Sequence, residues 1–397
     1  MDKTFLQQTR ARYQKELTDN VIPFWEKHCI DKEYGGYFTS LDRDGSVYDT
    51  NKYMWMQWRI VYVFTELFLS EYSKPHYLDI ARKGFDFLLE KGKDPSGQYY
   101  FAINRQGVPH TAAYNVFSEC FAAMGAGMLY KATKESRYAD EAQSAMNNYI
   151  ARIKSGNPAG AWNKAMPGRE EYLSLGHYMM LANLGLIMDD CLGGNRYSKE
   201  LDLAVDVVLN KFWQPDLGVV MENIRPDGSV DLESCQGRML NPGHVLEAMW
   251  FLLNALEKRE NDPAVKKQIC DIIARTIDLG WDKEYGGIYY FMDVLGKPHL
   301  ELQHNMKLWW PHNEALIAAL FAYKHTGEER FARYFEMIDQ WTWSHFPDPE
   351  YGEWYAYLDR QGTPTHSLKG GKWKTFFHLP RCLMVCADQL GQLEKMV

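Results

Sequence analysis

Apolar residues recur along the chain in two alternating registers. In one, seen at Tyr77, Ile80, Ala81, Gly84, Phe85 and Leu88, the steps are three and four, which is the stripe of a helix with one buried face. In the other, over residues 114–130 and 309–323, apolar side chains run nearly all round, as in a helix buried on most of its circumference. Reading both registers along the chain predicts twelve helices at approximately 5–28, 53–70, 76–91, 115–132, 137–154, 172–190, 196–211, 243–257, 263–280, 309–325, 328–346 and 376–392. They alternate between an outer and an inner kind.

Between helix pairs a motif repeats. Asp31-Lys32-Glu33-Tyr34-Gly35-Gly36-Tyr37-Phe38 returns as Asp282-Lys283-Glu284-Tyr285-Gly286-Gly287-Ile288-Tyr289 and as Asp348-Pro349-Glu350-Tyr351-Gly352-Glu353-Trp354-Tyr355, with weaker copies from Asp94 and Asp216. Each is a short aromatic run followed by a glycine-containing turn, a hairpin signal. The copies are spaced by roughly 65 residues with one double interval, where residues 156–162 hold the place of a missing copy, so six units are expected. Six helix pairs close into an all-α (α/α)6 barrel with short β-hairpins at one end. An open solenoid would need polar capping repeats, which the chain lacks, and no linker interrupts residues 1–397, so a single domain is expected.

Composition narrows the function. With 46% hydrophobic and 14% aromatic residues the chain has ample material for a large core, and its aromatic excess suits carbohydrate. A net charge of -8 without a Lys/Arg block argues against nucleic acid or an anionic membrane as partner. Seven scattered cysteines without a CxxC pair read as reduced thiols. The N-terminus has no signal-like apolar core and no run approaches the ~18 apolar residues of a membrane span, so a cytoplasmic protein is expected.

The most informative stretch is Asn241-Pro242-Gly243-His244-Val245-Leu246-Glu247-Ala248-Met249-Trp250. Asn as N-cap and Pro as first helical residue start a helix whose ionisable residues, His244 and Glu247, sit three apart in its first turn. The other inner helices begin alike, with Arg59, Glu119, His177, His312 with Glu314, and His378 with Arg381. Six ionisable positions at one mouth of a barrel point to a site, because burying so many charges otherwise carries a large cost. Two imidazoles on opposite walls, His244 and His378, suit removal of a proton from one face of a carbon and its return to the other. Arg59 suits a developing enediolate. Glu119, Glu247 and Glu314 suit orienting imidazoles or binding hydroxyls, and Tyr53, Trp55, Trp309 and Trp310 suit stacking on a sugar. No metal-ligand spacing appears, so no metal is expected.

Asn241-Pro242-Gly243-His244, Lys307-Leu308-Trp309-Trp310-Pro311-His312 with Glu314-Ala315, Lys369-Gly370-Gly371 with Phe377-His378 and Pro380-Arg381, Phe117-Ser118-Glu119-Cys120-Phe121 and Asp348-Pro349-Glu350-Tyr351-Gly352-Glu353-Trp354 together resemble the N-acylglucosamine 2-epimerase (renin-binding protein) family across essentially the whole chain. The resemblance implies an (α/α)6 barrel, a homodimer, and interconversion of N-acetyl-D-glucosamine and N-acetyl-D-mannosamine through the open-chain sugar. It implies His244 and His378 as the two proton-transfer groups, assisted by Arg59 and Glu314. It implies no required cofactor, although some members are activated by ATP; residues 156–168, glycine-rich and carrying Lys164, form no P-loop. One departure stands out. Where N-acyl epimerases read Pro-Met-Met, this chain reads His177-Tyr178-Met179-Met180, followed by Asn183. A cavity-facing Tyr178 would fill N-acetyl space, which keeps a mannose/glucose 2-epimerase or mannose-fructose isomerase as the alternative, whereas a Tyr178 in the wall would be a neutral change. A glycoside hydrolase and a non-catalytic binding protein are the remaining rivals.

Overall fold

A computed structural model describes residues 1–113, 115–155, 168, 170–257 and 262–396. The interval 156–162 expected to replace a sixth motif copy, and Lys164, lie outside the described residues.

The helices are α1 (Lys3–Lys15), α2 (Ile22–His28), α3 (Met54–Leu69), α4 (Pro75–Lys91), α5 (Phe117–Thr133), α6 (Ser136–Lys154), α7 (Leu175–Leu192), α8 (Ser198–Val207), α9 (Pro242–Glu257), α10 (Pro263–Gly280), α11 (Trp309–Thr326), α12 (Glu329–His345) and α13 (His378–Glu394). A π-helical turn at Glu16–Val21 joins α1 to α2, so the first outer helix of the pattern is present in two pieces. Another, Val208–Phe212, extends α8. Six inner helices, α3, α5, α7, α9, α11 and α13, pack side by side in that order, with the others outside them. This is the (α/α)6 barrel that the two registers predict. Burial follows the pattern: every residue from Trp309 to Ala322 in α11 is buried, whereas α4 buries only a face that includes Tyr77, Ala81, Gly84, Phe85 and Leu88. No described helix is long and apolar enough to cross a membrane.

The hairpins do more than close each unit. A residue pair at or just before the start of an inner helix pairs with the hairpin of the next unit: Lys52–Tyr53 with Ala102–Ile103, Met239–Leu240 with Met292–Asp293, and Lys307–Leu308 with Tyr357–Leu358. Charge follows the same route. Asp31, which opens the first motif, accepts from the buried Lys52 ammonium at 2.9 Å and from Arg105 of the next hairpin at 3.0 Å. Asp282 takes Lys307 at 3.2 Å and Arg360 at 2.8 Å. Asp348 takes Lys369 at 2.9 Å and Arg43 at 2.7 Å. Arg43 belongs to the first unit and Asp348 to the last, so the third clasp joins the two ends of the chain and shuts the ring. Burial would raise the Asp31 carboxyl, but Arg105 and Lys52 outweigh it and hold the group at about 2.

Candidate active site

The hairpin end of the inner helices carries three successive positions with different fates. Aligning the first turns of the inner helices on one another places Met56, Ser118, His177, His244, Pro311 and His378 at the first. The next residue is Gln57, Glu119, Tyr178, Val245, His312 or Leu379. Two further on stand Arg59, Phe121, Met180, Glu247, Glu314 and Arg381. First and third positions are three apart and share a helix face, whereas the middle one is turned about 100° away.

That rotation separates residues which the sequence alone groups together. Gln57 accepts the Tyr37 amide at 2.8 Å, Glu119 the Tyr99 amide at 3.2 Å, and His312 Nε2 the Ile288 amide at 2.9 Å. These side chains hook the hairpins onto the wall. Glu119 also pairs with Arg152 of α6 at 3.1 Å, and burial raises its carboxyl to about 7. Glu119, expected at the substrate, is therefore a wall residue. Tyr178 occupies the same position and packs its ring 5.9 Å from that of Phe212. It reaches toward the outer layer, which favours the wall placement of the two readings of this residue.

The first and third positions converge. His244, its backbone N–H held at 3.1 Å by the Asn241 cap, donates from Nδ1 to Glu222 at 2.9 and 3.0 Å. His378, first residue of α13, donates from Nδ1 to Glu314 at 2.8 Å. A carboxylate only accepts, so these contacts assign the proton to each Nδ1, at His378 in preference to the longer 3.2 Å approach of the Arg381 guanidinium, and leave each Nε2 a lone pair. Both rings lie against Trp310, at 5.2 Å for His244 and 5.8 Å for His378. Trp309 meets His378 edge-on at 6.2 Å.

Arg381 donates to Glu247 at 2.7 Å and to Glu314 at 2.5 Å, and Trp250 Nε1 donates to Glu314 at 2.8 Å. Glu247, Glu314 and His378 bring ligand atoms within 4.8 Å of one another, a grouping that sequence spacing could not show because its members come from three units. The guanidinium of Arg381 supplies the positive charge between those carboxylates. Arg59 differs: it makes no ion pair with any described residue and lies over Phe121, Phe377 and Trp55 at 4.1, 4.7 and 4.8 Å. Burial pulls its pKa down to about 9, so the site holds an uncommitted cation.

The remaining expected residues form the surroundings. Trp55 packs on Trp373 at 5.4 Å and near Phe101 at 6.4 Å, and Tyr53 meets Phe101 at 5.7 Å. His177 lies beside Phe117 at 5.7 Å, kept neutral by burial, which lowers it to about 4. Asn183 is buried on α7, three residues beyond Met180.

Glu222 is the group the sequence reading misses. It lies two residues beyond Val220, the hairpin residue equivalent to Tyr37, Tyr99, Ile288 and Trp354. The corresponding positions are Thr39, Phe101, Tyr290 and Ala356, so Glu222 is the one carboxylate among them. Aligning hairpins as well as helices would have exposed it.

A family model described as N-acylglucosamine 2-epimerase matches residues 36–382. The chain is 39% identical over 399 residues to the N-acylglucosamine 2-epimerase of Mus musculus, covering 99% of this chain and 94% of that one. Against the Homo sapiens enzyme of the same name it is 37% identical, with 99% and 92% covered. Among solved structures, cellobiose 2-epimerase from Spirochaeta thermophila superposes with a TM-score of 0.85 at 19% identity, over 98% of each chain.

Proposed function

Since the chain belongs to the N-acylglucosamine 2-epimerase family and is a carbohydrate epimerase, we propose that it interconverts N-acetyl-D-glucosamine and N-acetyl-D-mannosamine by two-histidine proton transfer at C2 of the open-chain sugar. The observation that carries this reading is the pair of equivalent imidazoles, each anchored through Nδ1 by a carboxylate, with Nε2 left over and one indole between them.

In the open-chain sugar the C2 proton is acidified by the neighbouring C1 aldehyde. One Nε2 removes it, the electron pair delocalises onto the C1 oxygen, and the imidazolium on the opposite face returns a proton to C2 with inverted configuration. Arg59 is the charge available to the enolate oxygen at C1, since Arg381 is already committed to two carboxylates. Burial lowers the His378 pKa well below the ordinary histidine value, with Arg59 and Arg381 adding to the effect, so it rests as a free base. Burial pulls His244 the same way, but Glu222 overrides it and raises the pKa, so His244 is the readier acid. Glycoside hydrolysis would need two carboxylates free to flank a bond. Here Glu247 and Glu314 are both tied to Arg381. With Tyr178 in the wall, no residue of that turn argues against an N-acetyl group.

A cytoplasmic homodimer that requires no metal or nucleotide completes the proposal. The test is proton NMR in D2O with N-acetylmannosamine and mannose in separate tubes, first with EDTA and then with ATP. The expected result is the C2 epimer of the N-acetyl sugar carrying deuterium at C2, formed without ATP and faster than any change in mannose. Faster exchange of mannose would reassign the substrate, and exchange of neither would remove the epimerase mechanism.

A further inference from the structure

The sixth motif copy departs from the first and fifth at the residue just before its hairpin aromatic or aliphatic side chain. Where the first and fifth copies have Gly36 and Gly287, at φ +67° and +74°, the sixth has Glu353 at φ +55°. A side chain is uncommon in this left-handed region, and glycine would suit the backbone better. The carboxylate is buried and fully engaged. Its Oε1 accepts from the Trp354 amide at 2.8 Å and from Lys374 Nζ at 2.8 Å, and its Oε2 accepts from Trp25 Nε1.

The need for it lies in the inner helix. In units one, two and five the hairpin amide is hooked by Gln57, Glu119 or His312. In unit six that position is Leu379, which cannot accept. Glu353 takes over the acceptor role on its own neighbour's amide and, through Lys374, ties the hairpin to residues 369–377. Those residues lead straight into His378. Lys369 reinforces the tie by donating to the Glu353 carbonyl at 3.2 Å. Trp25, held by the same carboxylate, stacks on Phe376 at 5.8 Å, and the Lys374 ammonium lies 5.7 Å from the Trp309 ring that meets His378 edge-on.

We propose that Glu353 is a positioning residue for proton transfer: with Lys374 and Trp25 it fixes the course of residues 369–377 and thereby the orientation of the His378 imidazole. The inference rests on the epimerase reading for its kinetic consequence and on geometry alone for its structural one.

Glu353→Gly tests it, because glycine removes the backbone strain and the carboxylate together. Expected is a folded protein whose kcat falls at least about tenfold, as for a displaced reacting group, while KM stays within about threefold because substrate affinity is not what the tie controls. The His378 imidazole NMR resonances should shift and those of His244 stay in place. Glu353→Gln keeps one acceptor oxygen, turns the other into an amide donor and removes the charge opposite Lys374, and should give a smaller change of the same kind. A folded Glu353→Gly with parental kcat and unmoved His378 resonances would overturn the proposal. Should the glycine variant not fold, parental kcat and resonances in Glu353→Gln would do so equally. If the parent epimerises neither sugar yet the His378 resonances move on substitution, the epimerase reading fails and the positioning role stands.

Discussion

His244 and His378 occupy the same place in units four and six, and each gives its Nδ1 proton to a glutamate, yet the two are driven in opposite directions. Glu222 comes from a hairpin beside a histidine whose side chain is 29% exposed, and it raises that histidine's pKa. Glu314 lies wholly buried and shares its charge with Arg381 and Trp250, so little of it is left to favour an imidazolium beside two guanidinium groups. A repeat thus supplies two like side chains, and the neighbours that are not repeated make one a resting base and the other a ready acid. This is the separation of roles that a reaction crossing from one face of a carbon to the other needs.

The comparison breaks most severely when either ring is lost. His244→Asn and His378→Asn should each lower kcat by at least about 100-fold, as for general acid–base groups; near-parental epimerisation by NMR in either variant would sink the two-base scheme. Next in size is the charge clasp at the ring's seam. Asp348→Asn leaves the buried Lys369 ammonium without its counter-charge and should cost about 3 kcal/mol of stability in denaturant unfolding, with no comparable loss expected from removing an exposed pair such as Lys267 with Asp271. The clasps also set an acid limit. The Asp31 carboxyl is depressed to about 2 from an ordinary value of about 3.9, and those of Asp282 and Asp348 are lowered too. Their contribution is complete above the unfolded value and disappears as pH falls through the folded one. Stability followed against pH should therefore drop between about 4 and 2.

Glu222→Gln sharpens the comparison rather than breaking it. It should lower kcat about tenfold, and the limb of the pH–rate profile belonging to His244 should move to lower pH, because the carboxylate that favours the imidazolium is gone; an unmoved limb would detach Glu222 from the role. Smallest of all is Tyr178→Leu. Its ring packs on Phe212 in the wall, so although the change leaves a local void, the ratio of rates on N-acetylmannosamine and mannose should stay within about twofold because both substrates meet the same altered wall.

Much of this molecule was legible in the chain. Two registers of apolar spacing, with the Asp-x-Glu-Tyr-Gly motif between them, determined twelve helices, their pairing and the six-unit ring, because a helix buried all round and a helix buried on one face write different periodicities. The same repeat pointed to the helix starts as the site, and His244, His378, Arg59, Glu247, Glu314 and Arg381 do meet there. What the sequence could not decide is which way each of three consecutive positions turns. Glu119 and Tyr178 are one residue from the cavity register, and about 100° of helix rotation sends them into the wall. Nor could it bring Glu222 to His244, or set Arg381 between carboxylates from two other helices. Those contacts join residues 22, 134 and 67 positions apart, and only the packing of hairpins and inner helices against one another puts them within hydrogen-bonding distance, where burial and neighbouring charge then bias the protonation of each histidine.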